Sequence, residues 1–310
     1  MGKKILLPVD GSGQSLEAVR YAAKVLSSKD LRIVLFHVMS EVPEIFYDLG
    51  KKRKPRQELI NLEVWERRVK DLMDRFMSKA RQLLIHAGVP DEGITIKIQD
   101  RKTGIARDII AESAHDYEAV ILGRTGVNKF EGFVIGGVAN KLIEKLTHAS
   151  LCVVGGRPKT GRILLSLDES ESAMRAVNSI GKMMDSSKTK VTLFHVIRDF
   201  NIYQKRYEDL FSLTFEEEWI ETGKNEMESL FKIYRTYLTK SGFTPGRITT
   251  KIMTGVKSRS EAILKEAIEG HYGAIMLGRR GMSKVQEFHM GRVSTKVIHL
   301  ARNHAVWVVS

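Results

Sequence analysis

Leu6-Leu7-Pro8-Val9-Asp10-Gly11-Ser12 is the stretch whose reading organises the whole chain. It is a short apolar run ending in a carboxylate and a turn. It returns 158 residues later as Leu164-Leu165-Ser166-Leu167-Asp168-Glu169-Ser170. The same offset relates Leu35-Phe36-His37-Val38 to Leu193-Phe194-His195-Val196, and Gly123-Arg124-Thr125-Gly126 recurs as Gly278-Arg279-Arg280-Gly281 at an offset of 155. So small a drift over so long a span identifies one unit present twice. Gly155-Gly156-Arg157-Pro158-Lys159-Thr160-Gly161 reads as the connection between the copies, because Gly and Pro interrupt regular structure. The expected domains are therefore 1–154 and 162–310, with a linker at 155–161.

Working outward from Leu6, Ile5–Val9 is strand-like, and Leu16, Val19, Ala23 and Leu26 then recur at helical spacing. Ile33–Val38 is a second strand. A long amphipathic helix carries Leu62, Trp65, Val69, Leu72, Phe76, Ala80 and Leu83 on one stripe, and Ile94, Ile96 and Ile98 alternate as a strand. A helix over Ile105–Ala114, a strand over Ala119–Leu122, a helix near Val138–Leu146 and a strand over Leu151–Val154 complete the unit. The second unit repeats the order, with Trp219 answering Trp65 and Ala305–Val309 closing the chain. Trp, Phe and Met at helical spacing are expected in cores. Strands that alternate with helices and lack hairpin turns predict an α/β fold: two tandem open parallel five-stranded sheets with helices on both faces. Ligands bind such sheets beyond the carboxyl ends of the strands, where the strand order reverses.

The 310 residues contain 50 Lys and Arg against 37 Asp and Glu, a surplus of 13 positive charges that favours anionic partners. Lys51-Lys52-Arg53-Lys54-Pro55-Arg56 supplies five of them without base-stacking aromatics between, so a solvated loop is favoured there over a nucleic-acid site. One cysteine, Cys152, closes no internal disulfide and is expected to be a buried, inert thiol. The first apolar run is too short for a signal-peptide core, and no stretch approaches a membrane span, so a cytoplasmic protein without membrane contact is expected.

After the fourth strand the first unit has Gly123-x2-Gly126-x9-Gly136-Gly137-Val138, and the second has Gly278-x2-Gly281-x9-Gly291-Arg292-Val293-Ser294. Glycines permit positive φ and close backbone approach, and a helix opening at the third glycine adds unpaired N–H groups, which together suit a phosphate. No Gly-x4-Gly-Lys-Ser/Thr occurs, which excludes a P-loop. Gly11-x-Gly13 lacks the third glycine of the dinucleotide fingerprint, and Asp10 would repel a pyrophosphate. His37 and His195 lack a metal or nucleophile partner in sequence and read as packed, hydrogen-bonded histidines.

The run Pro8-Val9-Asp10-Gly11-Ser12, the glycine loop and the closing helix and strand resemble the universal stress protein family, here in tandem over almost the whole chain. The resemblance implies a stress-response regulator whose cofactor is ATP, accompanied by Mg²⁺ if the nucleotide carries one; the sequence offers no convergent general base and no arginine-finger arrangement, so at most slow hydrolysis is expected. It implies that the first site comprises Pro8, Asp10 at the ribose, the Val38 backbone at the adenine, Gly123 and Gly126 at ribose and phosphates, and Gly136, Gly137 and Val138 at the phosphates. The matching set is Asp168, Val196, Gly278, Gly281, Gly291, Arg292, Val293 and Ser294. Both copies depart from the family pattern after the third glycine: Gly137 lacks a hydroxyl, and Arg292 would either pair with a phosphate or fill its space. Ser166 replaces Pro8, and the first unit is expected to be the better site. The resemblance also implies pairing of the two final strands within one chain as a pseudo-dimer, with further homodimerisation open. The alternative is a nucleotide-free module of the same fold that recognises a protein partner.

Overall fold

A computed structural model of the chain describes residues 2–39, 56–126, 135–198, 213–281 and 290–310. The basic run at 51–56 lies outside the residues whose side chains are described, as do Leu62 and Trp65. The first half runs β1 (Lys3–Pro8), α1 (Gly13–Val25), β2 (Leu31–Met39), α2 (Arg56–His86), β3 (Ile94–Asp100), α3 (Ile105–Ser113), β4 (Ala119–Gly123), α4 (Gly137–Lys145) and β5 (Ser150–Val154). The second runs β6 (Arg162–Ser166), α5 (Glu171–Met183), β7 (Lys190–Arg198), α6 (Leu213–Lys240), β8 (Ile248–Val256), α7 (Arg259–Glu269), β9 (Ala274–Gly278), α8 (Arg292–Leu300) and β10 (Ala305–Val309).

Each half is a parallel five-stranded sheet, and the two are fused into one ten-stranded sheet of order β3-β2-β1-β4-β5-β10-β9-β6-β7-β8. The strand order reverses between β1 and β4, and again between β6 and β9, which puts a crevice at the carboxyl ends of those pairs. The fusion is the antiparallel pairing of β5 with β10. Its register sets Val154 opposite Ala305, Val153 opposite Val306, Cys152 opposite Trp307 and Leu151 opposite Val308. Cys152 and Trp307 are the same position in the two repeats, so the pseudo-twofold axis passes between them, as a self-paired strand requires. Both are fully buried, and Trp307 Nε1 donates to Tyr21 Oη of α1 across the unit boundary at 2.9 Å. The pairing removes an edge that each half would otherwise expose.

Apolar layers cover both faces, and each layer runs through both halves. The α1 stripe buries Leu16, Val19, Ala22 and Val25. On α2 the buried residues are Met73, Met77, Ala80 and Leu84, whereas Leu72 is 64% exposed. The stripe thus lies one residue further along than the spacing of the largest apolar residues predicts, and Phe76 and Leu83 sit at its margin. Trp219 is likewise 54% exposed and does not join the core expected for it. Cys152 is buried, and burial pushes its thiol pKa well up, so it is unreactive as expected.

Candidate functional site

Asp10 and Asp168 follow β1 and β6 directly. Val9 N–H and Leu167 N–H extend the strand pairing to the carbonyls of Phe36 and Phe194, both at 2.8 Å. Asp10 Oδ1 then accepts from Ser12 N–H at 3.0 Å, and Asp168 Oδ1 accepts from Ser170 N–H at 3.1 Å. Ser12 and Ser170 in turn cap the helices that follow, α1 and α5. Each carboxylate is therefore fixed by a turn whose other side chain starts a helix.

His37 and His195 hold the same turns from below. His37 Nδ1–H donates to the Val9 carbonyl at 2.7 Å, and His195 Nδ1–H donates to the Leu167 carbonyl at 2.8 Å. Burial lowers both pKa values from the ordinary 6.5, although these bonds and the neighbouring aspartates oppose it. The folded protein therefore takes up these protons less readily than the unfolded chain. Stability from this source is complete above the unfolded value near 6.5 and is lost as pH falls below it. His304, lowered by burial as well, adds in the same direction. The melting temperature is expected to fall between about pH 7.5 and about pH 5.5, a range above the carboxylates. The fall should shrink in a His37→Gln/His195→Gln variant; an equal fall would assign the titration elsewhere.

The glycine loops lie over these carboxylates. None of Gly123, Gly126, Gly136, Gly137, Gly278, Gly281 and Gly291 has positive φ, so none of these positions requires glycine for backbone hand. A Cβ on Gly126 would stand 2.4 Å from Asp10 Oδ2, and one on Gly281 would stand 2.6 Å from Asp168 Oδ2. A Cβ on Gly123 would meet the Gln14 carbonyl at 2.9 Å, and one on Gly278 would meet Ser172 Cβ at 2.5 Å. The first glycine of each loop therefore seats a helix against the sheet, and the second seats the loop on the aspartate. Gly136 N–H and Gly291 N–H close the loops onto the carbonyls of Arg124 and Arg279, both at 2.8 Å. Beyond them α4 and α8 begin with no side-chain cap among the described residues, unlike α1 and α5, and such a helix start suits an anion. Among the described residues nothing stands within 4 Å of a would-be Cβ on Gly137.

The copies differ. Val38 is buried in a continuous β2–β3 register, whereas the β7–β8 register breaks just after Val196. The Val196 carbonyl also accepts from Arg259 Nε at 3.4 Å, where the first copy has Ile105. Pro8 ends β1 opposite Phe36, and Ser166 ends β6 opposite Phe194. Ser294 Oγ donates to the Gly278 carbonyl at 2.8 Å, so its hydroxyl is engaged within the loop. Arg292 is exposed, and Val138 and Val293 pack at the margin of one apolar layer.

The arginine inside each glycine loop has a role that sequence reading missed. Arg124 is 4% exposed and Arg279 5%, and each crosses to the other half. Arg124 Nη2 donates to the carbonyls of Ile298 at 2.5 Å and Ala301 at 2.9 Å, at the carboxyl end of α8. Arg279 donates to the carbonyls of Ile143 at 3.1 Å and Leu146, at the carboxyl end of α4. Each cation meets the negative end of a helix whose positive end opens the other loop. Burial, with Arg302 and Arg280 nearby, brings the two pKa values down to about 10, which leaves both charged at neutral pH. The signal was present in the duplicated Gly-Arg-x-Gly; only the fused sheet shows where the arginines reach.

The model of the universal stress protein family matches residues 1–153 and again 159–310. The chain belongs to the universal stress protein family. A universal stress protein of Methanocaldococcus jannaschii, MJ0531, is 25% identical over 154 residues, 49% of this chain and 81% of its own length. One from Mycolicibacterium smegmatis is 25% identical over 151 residues, 49% of this chain and 48% of its own. Among solved structures, a universal stress protein from Archaeoglobus fulgidus covers 99% of this chain and 98% of its own at a TM-score of 0.59 and 18% identity. PA1789 from Pseudomonas aeruginosa covers 99% and 92% at a TM-score of 0.54 and 15% identity. These two whole-chain matches agree with the tandem α/β architecture of this universal stress protein. No helix among its described residues is long and apolar enough to cross a membrane.

Proposed function

We propose that this universal stress protein binds an adenine nucleotide, ATP, in the crevice between β1 and β4, and that binding serves a regulatory role in stress physiology. The regulatory part rests on family membership alone. The observation that carries the binding part is the convergence, at one switch point, of a carboxylate held by its turn, a loop glycine, Gly126, seated so closely on it that a Cβ would displace it, and an uncapped helix start at Gly136. In this reading Asp10 accepts from the ribose hydroxyls, the backbone at Val38 faces the adenine, and the N–H groups of Gly126, Gly137 and Val138 face ribose and phosphates, while Gly136 N–H holds the loop closed on the Arg124 carbonyl. The open space at Gly137 suits a phosphate. A nucleotide would bring its own Mg²⁺, because no group of three His, Cys, Asp or Glu stands together among the described residues.

Two observations favour a second reading for the second copy alone, in which its glycine loop serves assembly and takes no nucleotide. The Val196 carbonyl and the Ser294 hydroxyl are both already engaged inside the protein. The test is a thermal melt of the full chain with and without ATP, together with its absorbance at 260 nm as purified. ATP at ~100 times its Kd should add about 2.7 kcal/mol of stability; no shift and no co-purifying nucleotide would favour the nucleotide-free module. Gly137→Ser adds the hydroxyl that the family pattern carries, at a position with room for it. ATP should then bind about tenfold to a hundredfold more tightly, the value of one further hydrogen bond to a charged acceptor. Weaker binding in an equilibrium titration would place the phosphates elsewhere.

A further inference from the structure

The parallel strands of the second half begin at the end of the sheet opposite the glycine loops. There Arg162, Lys190, Thr192, Gly246, Arg247 and Thr249 line a cavity of about 280 Å³. Three of these residues are cations, two are hydroxyls and none is acidic. Among the described residues no ion pair engages Arg162, Lys190 or Arg247. Arg162 is held over the ring of Tyr272, 4.8 Å from its centre. Tyr272 Oη–H donates to Thr192 Oγ1 at 3.0 Å, and Thr192 Oγ1 lies 2.8 Å from Thr249 Oγ1. Either threonine hydroxyl can donate in that pair, and when Thr192 donates, the Thr249 proton is free to face the cavity. The nearby carboxylate, Glu266, is taken up by Lys251 Nζ at 2.5 Å.

The first half serves as an internal control, since duplication copies whatever the fold needs. Its counterparts keep the scaffold: Lys4 lies over Tyr117 at 4.1 Å, and Lys97 pairs with Glu112 at 2.6 Å. They also keep two lining residues, Arg32 where the second copy has Lys190 and Thr95 where it has Thr249, but lack two others. Val34 pairs with Thr95 in register where Thr192 pairs with Thr249, and Gly93 precedes β3 where Arg247 precedes β8. Without a hydroxyl at Val34, Tyr117 turns to Glu112 at 2.7 Å, whereas Tyr272 stands 3.4 Å from Glu266. The groups that complete the cavity are those the other copy does not have.

We infer that this cavity binds a phosphate-sized oxyanion, either free phosphate or the phosphomonoester end of a small molecule. Two guanidinium groups and one ammonium supply charge-assisted donors, and Thr249 supplies a neutral one. The site is independent of the nucleotide crevice. The experiment is an NMR titration of the ¹⁵N-labelled full chain at constant ionic strength with inorganic phosphate, with glycerol 3-phosphate and with chloride. Saturable shifts of the Thr192, Arg247 and Thr249 amides are expected with phosphate or its ester and not with chloride; the tighter of the two identifies the source. Thr192→Val/Arg247→Gly installs the first copy's residues and should weaken binding about tenfold or more. Lys190→Ser, at an exposed position, should weaken it too with the melting temperature unchanged. Shifts that appear equally with chloride, that centre on Gly126 or Gly281, or that survive both variants would overturn the inference.

Discussion

Gly126→Val is expected to weaken ATP binding about tenfold to a hundredfold, while the melting temperature of the ligand-free protein changes by no more than about 2 °C. The valine Cβ would arrive 2.4 Å from Asp10 Oδ2, well inside contact distance. The obstacle is the tip of a side chain, so the free protein relaxes by turning the carboxylate aside. That movement gives up the bond from Ser12 N–H, which aims Asp10 at the crevice. The overpacking cost, about 1–3 kcal/mol, then falls on binding, because a ribose needs the carboxylate where it was. Gly281→Val acts on Asp168 in the same way. Its effect on ATP binding should be the smaller if the first copy is the better site. A large drop in melting temperature with unchanged affinity would make Gly126 a packing glycine only.

Arg124→Met should behave oppositely, destabilising the protein by about 3 kcal/mol, or roughly 6–10 °C in melting temperature. The unbranched side chain fills much of the guanidinium volume yet donates nothing. The carbonyls of Ile298 and Ala301 are left inside the protein without their charged donor, and buried acceptors without partners cost about 1–3 kcal/mol each. Arg279→Met uncovers the carbonyls of Ile143 and Leu146 in the same way. Lysine at either position should recover only part of the loss, because an ammonium cannot span two carbonyls as a planar fork does. Thermal melts of the four variants check this. A change within about 1 °C for both methionine variants would mean the crossing arginines hold nothing together.

Much of the architecture was legible because it is written twice. The paired Asp10 and Asp168, the paired His37 and His195 and the two glycine loops give the register of the repeat and, with alternating strands and helices, a parallel sheet. The closing strands Leu151–Val154 and Ala305–Val309 are apolar throughout, which agrees with their meeting at the centre of the sheet. What was not legible depends on distant contacts. The buried side of α2 shifts by one residue, to Met73 and Met77, because the face is set by the helix it packs against and not by the largest side chains in the stripe. Trp219 is exposed for a similar reason: periodicity counts apolar residues without knowing whether a neighbour covers them. The loop glycines were expected to serve backbone hand as well as space; none has positive φ, and Gly123, Gly126, Gly278 and Gly281 are the ones that close approach requires. The reach of Arg124 and Arg279 was not legible because their partners lie more than 130 residues away in sequence.

The central claim is that the switch-point crevice of this universal stress protein holds a nucleotide. Equilibrium binding of labelled ATP to the full chain, in parallel with Gly126→Val and Gly281→Val, tests it most directly. Saturable binding that falls about tenfold or more in Gly126→Val is the predicted result. No binding by the parent protein, or binding indifferent to both substitutions, would contradict it.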